Sequence, residues 1–252
     1  MRILRLNFLV ILTFLLAQSA SAQKQFKALL VVNTKGWHHE SIHAGVLAMQ
    51  QLGQRNFFDV VLWENPGGFN DKYLEQFKVV IFLNTTGDIL DTAQQKVMER
   101  FIQSGKGFVG IHSASDTEYD WEWYTKLVGR MFNIHPANQT AKLQVLDASF
   151  PGLQGLSNGK LWTDEWYDFS PEKTTGLKYI LAVDEKTYNP KAQWGNKKNS
   201  ETNGMHPIAW YHDYDGGRAF YTALGHIPTN YSNEAFLDHV YAGILWAATG
   251  KK

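Results

Sequence analysis

The sequence predicts an α/β protein whose mostly parallel sheet is covered by helices on both faces. Two observations support this fold class. Short runs rich in Val, Ile and Leu alternate with segments whose apolar residues recur at helical spacing. The short runs are almost continuously apolar, which is typical of strands buried on both faces. Strands and helices that alternate in this way form parallel sheets through crossover connections.

The first half of the chain contains four predicted strands and two long predicted helices. The strands are 27–33, 58–64, 77–88 and 107–116. The first helix covers 41–53, with Ser41 as its N-cap and Gly53 as its end. The second helix covers 91–107 and starts at Asp91. A shorter helix is expected between the second and third strands.

The second half is less regular, and its apolar runs predict further strands. These are 141–147, 177–184, 206–214 and 217–226. The stretch at 215–217 predicts a hairpin turn between the last two strands. Segment 188–204 is polar and is expected to form a surface loop, and 233–250 has the periodicity of a closing amphipathic helix. No sharp change of composition divides the chain, so residues 23–252 are predicted to form a single domain.

Charge and cysteine content exclude several classes of protein. Lys and Arg number 24, and so do Asp and Glu, so no basic face for nucleic acid is expected. Cysteine is absent, which excludes thiol catalysis, cysteine-ligated zinc and disulfides. A chain of 252 residues can bury a sufficient core without disulfides, so export is still compatible with the sequence.

The first 22 residues have the pattern of a secretory signal peptide. Arg2 and Arg5 provide positive charge, 6–16 is an apolar run, and 20–22 reads Ala-Ser-Ala, which resembles a cleavage site. No cysteine lies at the junction to carry a lipid. The mature chain is therefore expected to be periplasmic or secreted, without a membrane anchor.

Residues 39–43 read His-Glu-Ser-Ile-His, which matches the H-E-x-x-H pattern of zinc proteases. In those enzymes both histidines lie on one face of a settled helix. Here the string occupies a strand-to-helix turn, so His39 and His43 need not point the same way, and a protease is not expected. We interpret His38 and His39 as lining the mouth of a site, because loops at strand ends commonly carry function. An exposed, solvated turn is the alternative.

The turn after the fourth strand carries a second group of candidates. Ligands bind such sheets beyond the carboxyl ends of the strands. A sharp turn at this position exposes a nucleophile in many α/β enzymes, and His112 or Ser113 could occupy it. Alternatively, Asp116 caps the following helix.

Two adjacent carboxylates, Asp164 and Glu165, lie among aromatic residues. Apolar surroundings raise the pKa of a carboxyl group and suit it to general acid or base catalysis. On a strand the two side chains point to opposite faces, so only one can enter the site, and we predict that it is Glu165.

Histidines and tryptophans elsewhere extend the candidate site. His226 lies just beyond the last strand, Arg218 follows Gly217, and His135 and His206 each precede a proline. Many of the nine tryptophans stand beside polar residues. They are interpreted as stacking surfaces for sugar rings, with core aromatic residues as the alternative.

Several ordered motifs resemble the ThuA-like (trehalose-utilisation) family. They are GWHHESI, GKGFVGIHSASD, DEWYDF, HPIAWYHDYDGGRAFYTALGH and AGILWAATG, and the resemblance covers 27–250. It implies a class I glutamine amidotransferase-like fold, which is a flavodoxin-like, doubly wound sheet. In the amidotransferases the turn after this strand holds a catalytic cysteine. His112 stands there in this chain, which excludes glutamine hydrolysis through a thiolate.

The resemblance implies a role in disaccharide or keto-sugar utilisation, and secreted members are often described as glycosyl hydrolases. We expect a sugar enzyme acting by hydrolysis, elimination or isomerisation. The predicted catalytic residues are His39, His112, Asp116, Glu165 and His226. The predicted substrate-binding residues are Trp37, His38, Ser113, Trp121, Trp166 and Arg218. A non-catalytic carbohydrate-binding protein is the alternative, and a serine hydrolase using Ser113 is a third interpretation.

A divalent metal such as zinc is compatible with this set. Its candidate ligands are His38, His39, His112, Glu165 and His226. The expected partner is a small sugar, and a homo-oligomer is compatible with the sequence.

Overall fold

The computed structural model describes residues 24–63, 66–199 and 205–252. The predicted signal peptide lies outside the described residues. The strands are β1 (Lys27–Val31), β2 (Asp59–Leu62), β3 (Val79–Leu83), β4 (Gly107–Ile111), β5 (Phe132–Ile134), β6 (Gln139–Val145), β7 (Leu161–Asp164), β8 (Asp168–Phe169), β9 (Lys178–Asp184), β10 (Gln193–Trp194), β11 (Lys197–Lys198), β12 (Met205–Tyr214) and β13 (Gly217–Thr222). The helices are α1 (Ser41–Arg55), α2 (Asp71–Leu74), α3 (Thr92–Gln103), α4 (Glu122–Val128) and α5 (Glu234–Thr249).

The main sheet has nine strands in the order β2-β1-β3-β4-β13-β12-β9-β6-β7. The strands from β2 to β13 are parallel, and the remaining neighbours pair antiparallel. Two small antiparallel pairs, β5 with β8 and β10 with β11, lie outside it. The parallel half has the doubly wound order of a flavodoxin-like fold, which confirms the predicted fold class.

Neighbouring residues of the central strands pack against helices on opposite sides of the sheet. On β3, Leu83 lies against Gly45 of α1, while the ring of Phe82 stacks with that of Tyr124 in α4 at a centroid distance of 5.7 Å. Helix α5 packs across β4 and β13. Every residue of β3 and β4 is buried, which explains why their sequences are continuously apolar.

Helix α1 lies where it was predicted, but its ends differ from the prediction. Ser41 is the first helical residue and not the N-cap, and its buried hydroxyl donates to the carbonyl oxygen of Gly225 at 3.1 Å. Gly53 lies inside the helix, which continues to Arg55. A Cβ at Gly53 would lie 2.7 Å from the carbonyl oxygen of Phe58, so the glycine permits a close approach of the chain and does not end the helix.

Other local predictions are confirmed or extended. Asp91 forms a capping box at the start of α3, and Asp215 and Gly216 form the hairpin turn with φ values of 46° and 88°. Strands β5, β7 and β8 were not predicted, and the expected loop at 188–204 contains the short hairpin β10–β11. Within the described ranges, no helix combines the length and apolar character needed to cross a bilayer.

Candidate functional site

Four side chains from four strand ends converge at one edge of the sheet. Strands β1, β4 and β13 are parallel, and the alternating pairings between β13 and β7 make β7 run in the same direction. His39, His112, Glu165 and His226 follow the carboxyl ends of these strands. One ligand atom of each lies within 4.8 Å of those of the others. The sequence-based expectation that distant histidines share one site is therefore met for these residues.

His112 occupies the turn directly after β4 in a left-handed backbone conformation, with φ of 51°. Its Nδ1 lies 2.8 Å from the carbonyl oxygen of Ala223, and a carbonyl can only accept, so Nδ1 carries the proton. Its Nε2 is thereby directed at the cluster, 3.4 Å from Oε2 of Glu165 and 3.2 Å from Nδ1 of His226. Histidines that ligate metals commonly donate their other N–H to a carbonyl in this way.

Glu165 is contacted by three imidazoles. Its Oε2 lies 3.2 Å from Nδ1 of His226, and its Oε1 lies 3.2 Å from Nδ1 of His135. Burial raises the pKa of this carboxyl group, but hydrogen bonds with His112 and His226 outweigh burial and hold the pKa well below its usual range. In return, although burial lowers the pKa of His226, its hydrogen bond to Glu165 leaves that pKa raised.

His39 is buried and uncharged. Burial, together with the neighbouring His112 and His226, lowers the pKa of His39 to about 3. The hydroxyl of Ser113 lies 3.3 Å from its Nδ1. A neutral imidazole is the form that binds a metal, so the environment of His39 suits a ligand.

The chemistry of these donors fits a divalent ion. Three imidazoles and one carboxylate form a set that zinc and similar ions accept. The cluster formed by His39, His112, Glu165 and His226 could therefore bind a metal. We refer to these four residues as the His/Glu cluster.

The buried carboxylate of Asp164 fixes the loop that carries part of the cluster. It accepts hydrogen bonds from the backbone N–H groups of Gly225 at 2.9 Å, of His226 at 3.1 Å and of Glu165 at 3.1 Å. It also accepts from Nδ2 of Asn230 at 2.7 Å. The neighbouring residue, Glu165, enters the cluster, so only one of the two adjacent carboxylates does so, as predicted.

A pocket of about 460 Å³ opens beside the cluster. It is lined by Trp37, His39, Asp116, Phe132, His135, Asn138, Glu165, Tyr167, Trp194 and His226. Trp37 is 72% exposed and Trp194 is 46% exposed, so ring surface of both is available to a ligand. The pocket combines aromatic walls with a few convergent polar groups, as small-molecule sites usually do.

Asp116 brings a second carboxylate to this pocket. The hydroxyl of Tyr119 donates to its Oδ1 at 2.6 Å. Burial raises the pKa of Asp116, while the hydrogen bond from Tyr119 acts in the opposite direction. Asp116 does not act as the N-cap of α4, because that position belongs to Trp121.

The structure places two predicted site residues, His38 and Arg218, away from the pocket. His38 is exposed and its Nδ1 lies 3.1 Å from the hydroxyl of Thr34, so it points away from the cluster that its neighbour joins. Arg218 lies at the opposite, amino edge of the sheet, where it is paired with the first residue of β4 and donates to the carbonyl oxygens of Gly105 and Ala247. These contacts argue against a metal-binding role for His38 and a substrate-binding role for Arg218.

Trp121 and Trp166 belong to the core. They are 9% and 1% exposed, and their indole N–H groups donate to Glu99 and to the carbonyl oxygen of Gln139, respectively. Neither lines the pocket, so both are core aromatic residues and not stacking surfaces for a sugar ring. Ser113 is also fully buried, and its contact with His39 suggests that it orients this imidazole and does not bind substrate.

Sequence reasoning missed several residues at the site, including His135, Trp194 and Tyr119. His135 was noted as a histidine before proline but not predicted as a site residue, and Trp194 lies in the segment read as a polar loop. Tyr119 lies in a segment whose apolar residues follow neither helical nor strand spacing. All three lie on short, irregular segments, whose positions follow from tertiary contacts.

The fold defines the class: a flavodoxin-like α/β protein, similar in architecture to the class I glutamine amidotransferases. The chain belongs to the ThuA family, described as trehalose utilisation, whose family model matches residues 27–247. Membership supports a role in carbohydrate utilisation.

Solved structures show the same fold at low sequence identity. A ThuA-like protein from Bacteroides uniformis ATCC 8492 superposes with a TM-score of 0.72 at 20% identity, covering 92% of this chain and 95% of that one. For a ThuA-like protein from Parabacteroides merdae ATCC 43184 the TM-score is 0.68 at 20% identity, with 90% and 91% covered. A β-galactosidase from Bacillus circulans sp. alkalophilus matches with a TM-score of 0.55 at 13% identity, over 90% of this chain and 31% of the galactosidase. No curated protein matches the sequence significantly.

Proposed function

We propose that this protein is an exported sugar-processing enzyme whose chemistry is centred on the His/Glu cluster and assisted by a divalent metal. The observation that carries the proposal is the convergence of the four side chains of the cluster, from four separate strand ends, beside a pocket with aromatic walls. The carboxyl edge of a doubly wound sheet is the usual position of an active site. Membership of the ThuA family supports a carbohydrate as the substrate class.

The cluster residues would hold the ion, and neighbouring groups set the orientation of His112 and the ionisation of Glu165. A bound zinc-like ion supplies Lewis acidity, which polarises a sugar oxygen. The carbonyl of Ala223 engages Nδ1 of His112, so Nε2 is the nitrogen that faces the cluster and would ligate. The depressed pKa of Glu165 keeps that carboxylate ionised at neutral pH.

Asp116 is the residue best suited to move a proton. It lines the same pocket, and burial raises its pKa towards the range in which a carboxyl group can both take up and release a proton. Asp116 would remove a proton from the sugar carbon next to a carbonyl group. Return of that proton to the former carbonyl carbon, with transfer of the adjacent hydroxyl proton to the carbonyl oxygen, would complete an isomerisation. Expulsion of the glycosidic oxygen from the next carbon, with the abstracted proton delivered to that oxygen, would instead complete an elimination.

Hydrolysis by two opposed carboxylates has less support. Glycosidases of that kind need two carboxyl groups that are free to act on the scissile bond. Glu165 is contacted by His112, His135 and His226, which leaves Asp116 without a free partner. We therefore favour an isomerase or a lyase acting on a keto-sugar over a two-carboxylate hydrolase.

The aromatic walls of the pocket support a sugar ligand. Sugar rings present apolar C–H faces and polar hydroxyl edges. The exposed rings of Trp37 and Trp194 can cover such faces, while Asn138 and His135 offer hydrogen bonds to the hydroxyls. Trp194→Ala should weaken sugar binding, whereas Leu161→Ala, which removes a still more exposed apolar side chain outside the pocket, should not.

The test of the proposed function is a screen of ordinary and 3-keto disaccharides with the purified protein, with and without a chelator. Turnover is expected that disappears with the chelator and in His112→Ala, and that persists in His38→Ala. Sugar binding without turnover of any compound would instead identify a carbohydrate-binding protein. If no sugar is either bound or converted, the proposal is wrong.

The sequence of the first 22 residues supports export to the periplasm or the medium. Mass spectrometry of the protein recovered from cell fractions tests this. A mature chain that begins at Gln23 in the periplasmic or medium fraction is expected, and an intact Met1 in the cytoplasm would contradict it.

A further inference from the structure

A second pocket of about 530 Å³ adjoins the first. The side chain of Phe132 lines both pockets and forms part of the wall between them. Tyr119 lines the second pocket, and its hydroxyl reaches Asp116 in the first. The two pockets are therefore neighbouring compartments around one aromatic wall.

The ring of Tyr119 is fixed in place although it is 44% exposed. Its hydroxyl lies 2.6 Å from Oδ1 of Asp116 and 2.9 Å from the carbonyl oxygen of Phe132, so the side chain is tied at its tip. An aromatic ring that is immobilised before binding loses little conformational entropy when a ligand covers it. Tyr119 thus offers a ready apolar surface at the entrance to the second pocket.

Apart from Met131 and Phe132, the remaining lining of the second pocket is polar and carries both signs of charge. Asp120 and Lys173 are exposed there, and Glu122 and Lys126 form an ion pair at 2.7 Å. Mixed charge gives no preference for an anionic ligand, and the polar groups disfavour a lipid. A neutral ligand with an apolar face and many hydroxyl groups fits this lining best.

We propose that the second pocket is a subsite for the second ring of a disaccharide whose first ring lies beside the His/Glu cluster. This inference rests on the proposed function, and it assigns the second ring of a disaccharide substrate to a particular pocket. The second ring stacks on Tyr119, and its hydroxyls bond Lys173 and Asp120. The linkage between the two sugar rings then passes Phe132 and lies near Asp116, the proposed proton-transfer residue.

The experiment compares the affinities of single-ring and two-ring ligands by calorimetry. The probes are methyl α-glucoside against trehalose, maltose and cellobiose, each also in its 3-keto form. The wild-type protein is expected to bind at least one disaccharide about tenfold more tightly than the matching monosaccharide, as one or two additional hydrogen bonds would give. Tyr119→Ala and Lys173→Ala should each reduce this ratio of affinities towards one.

Matched controls separate a local effect from a general one. Phe57→Ala removes an aromatic side chain that is 51% exposed near the start of β2, and Lys142→Ala removes an exposed lysine on β6. Both should keep the wild-type ratio. Circular dichroism and thermal unfolding establish that every variant is folded.

The possible results distinguish the subsite from the proposed function. If the wild-type protein binds the monosaccharide and disaccharides equally, or if both pocket variants keep the wild-type ratio, the subsite does not exist, while the proposed function stands. If the wild-type protein binds none of the sugars, the proposed function fails and the subsite fails with it.

Discussion

The Nδ1 atom of His112 lies 2.8 Å from the carbonyl oxygen of Ala223, and this contact determines which ring nitrogen points towards the cluster. The residue stands at the end of β4, and its partner follows β13, the adjacent strand in the sheet. The hydrogen bond therefore ties two neighbouring strand ends together and directs Nε2 towards Glu165.

Metal content should depend on His39 and not on His38. We expect His39→Ala to lower the metal bound by protein purified without added ions, by at least about tenfold, because one ligand of the His/Glu cluster is removed. His38→Ala is the matched control, since its ring contacts Thr34 and lies outside the cluster. Elemental analysis by mass spectrometry provides the measurement. Equal metal content in the two variants would exclude the cluster as the binding site.

Removal of the Asp164 carboxylate should destabilise the protein severely. In Asp164→Ala the N–H groups of Gly225 and His226 and the side chain of Asn230 lose their buried acceptor, so we expect the free energy of unfolding to fall by about 3 kcal/mol or more. Urea denaturation followed by circular dichroism measures the loss. Asp238→Ala, at an exposed position on α5, should change the free energy by less than about 0.5 kcal/mol. Similar losses in both variants would mean that the hydrogen bonds accepted by the Asp164 carboxylate do not stabilise the fold.

Stability should decrease as the pH falls below about 6.5, because buried neutral histidines resist protonation. Burial lowers the pKa of His239 to about 3, whereas the same group titrates at about 6.5 in the unfolded chain. Between these values the unfolded state binds the proton and the native state does not. The contribution of His239 to the free energy of unfolding is therefore complete above pH 6.5. It decreases towards pH 3 by about 1.4 kcal/mol per pH unit.

The variant His239→Gln checks this origin of the pH dependence. Its free energy of unfolding, measured in urea at pH 7, 6, 5 and 4, should decrease less steeply than that of the wild-type protein. The remaining slope includes His39, whose pKa is also about 3. An unchanged slope in the variant would mean that His239 does not contribute.

Gly107 should not tolerate even a methyl group. A Cβ at this first residue of β4 would collide with the backbone carbonyl of Ala247 in α5, so Gly107→Ala should force the helix away from the sheet. We expect a loss of about 2 kcal/mol in the free energy of unfolding. The comparison variant is Gly36→Ala, where the added Cβ would meet its nearest neighbour, Thr86, at an ordinary 3.4 Å. A loss no larger than that of the comparison variant would contradict the close packing.

The sequence was sufficient to predict the elements that form the parallel half of the sheet and the residues at their ends. His112 and His226 were predicted because each directly follows a long apolar run, and the carboxyl ends of parallel strands share one edge. The alternation of side chains predicted that only one of Asp164 and Glu165 enters the site, and of the two Glu165 was chosen. In each case a local pattern determines the position of the residue in the fold.

The site residues that the structure places elsewhere were predicted from sequence patterns that do not show where a side chain points or at which end of a strand it lies. Trp121 and Trp166 stand beside polar residues in the sequence, as aromatic residues at the edge of a binding site also do. Composition alone does not distinguish a buried ring from an exposed one. Arg218 was assigned to the site from its place beside a strand. It lies at the start of that strand, at the opposite edge of the sheet. His135 and Trp194 were missed because their segments have no periodicity, and contacts made only in the folded chain bring them to the pocket.

The donors of the His/Glu cluster are distributed from residue 39 to residue 226, so an ion held by them would tie together nearly the whole length of the polypeptide. An unfolded chain contains no preassembled set of ligands. Under the proposed export, the chain would therefore acquire its ion in the compartment where it folds, and the metal supply of that compartment would decide which ion it carries.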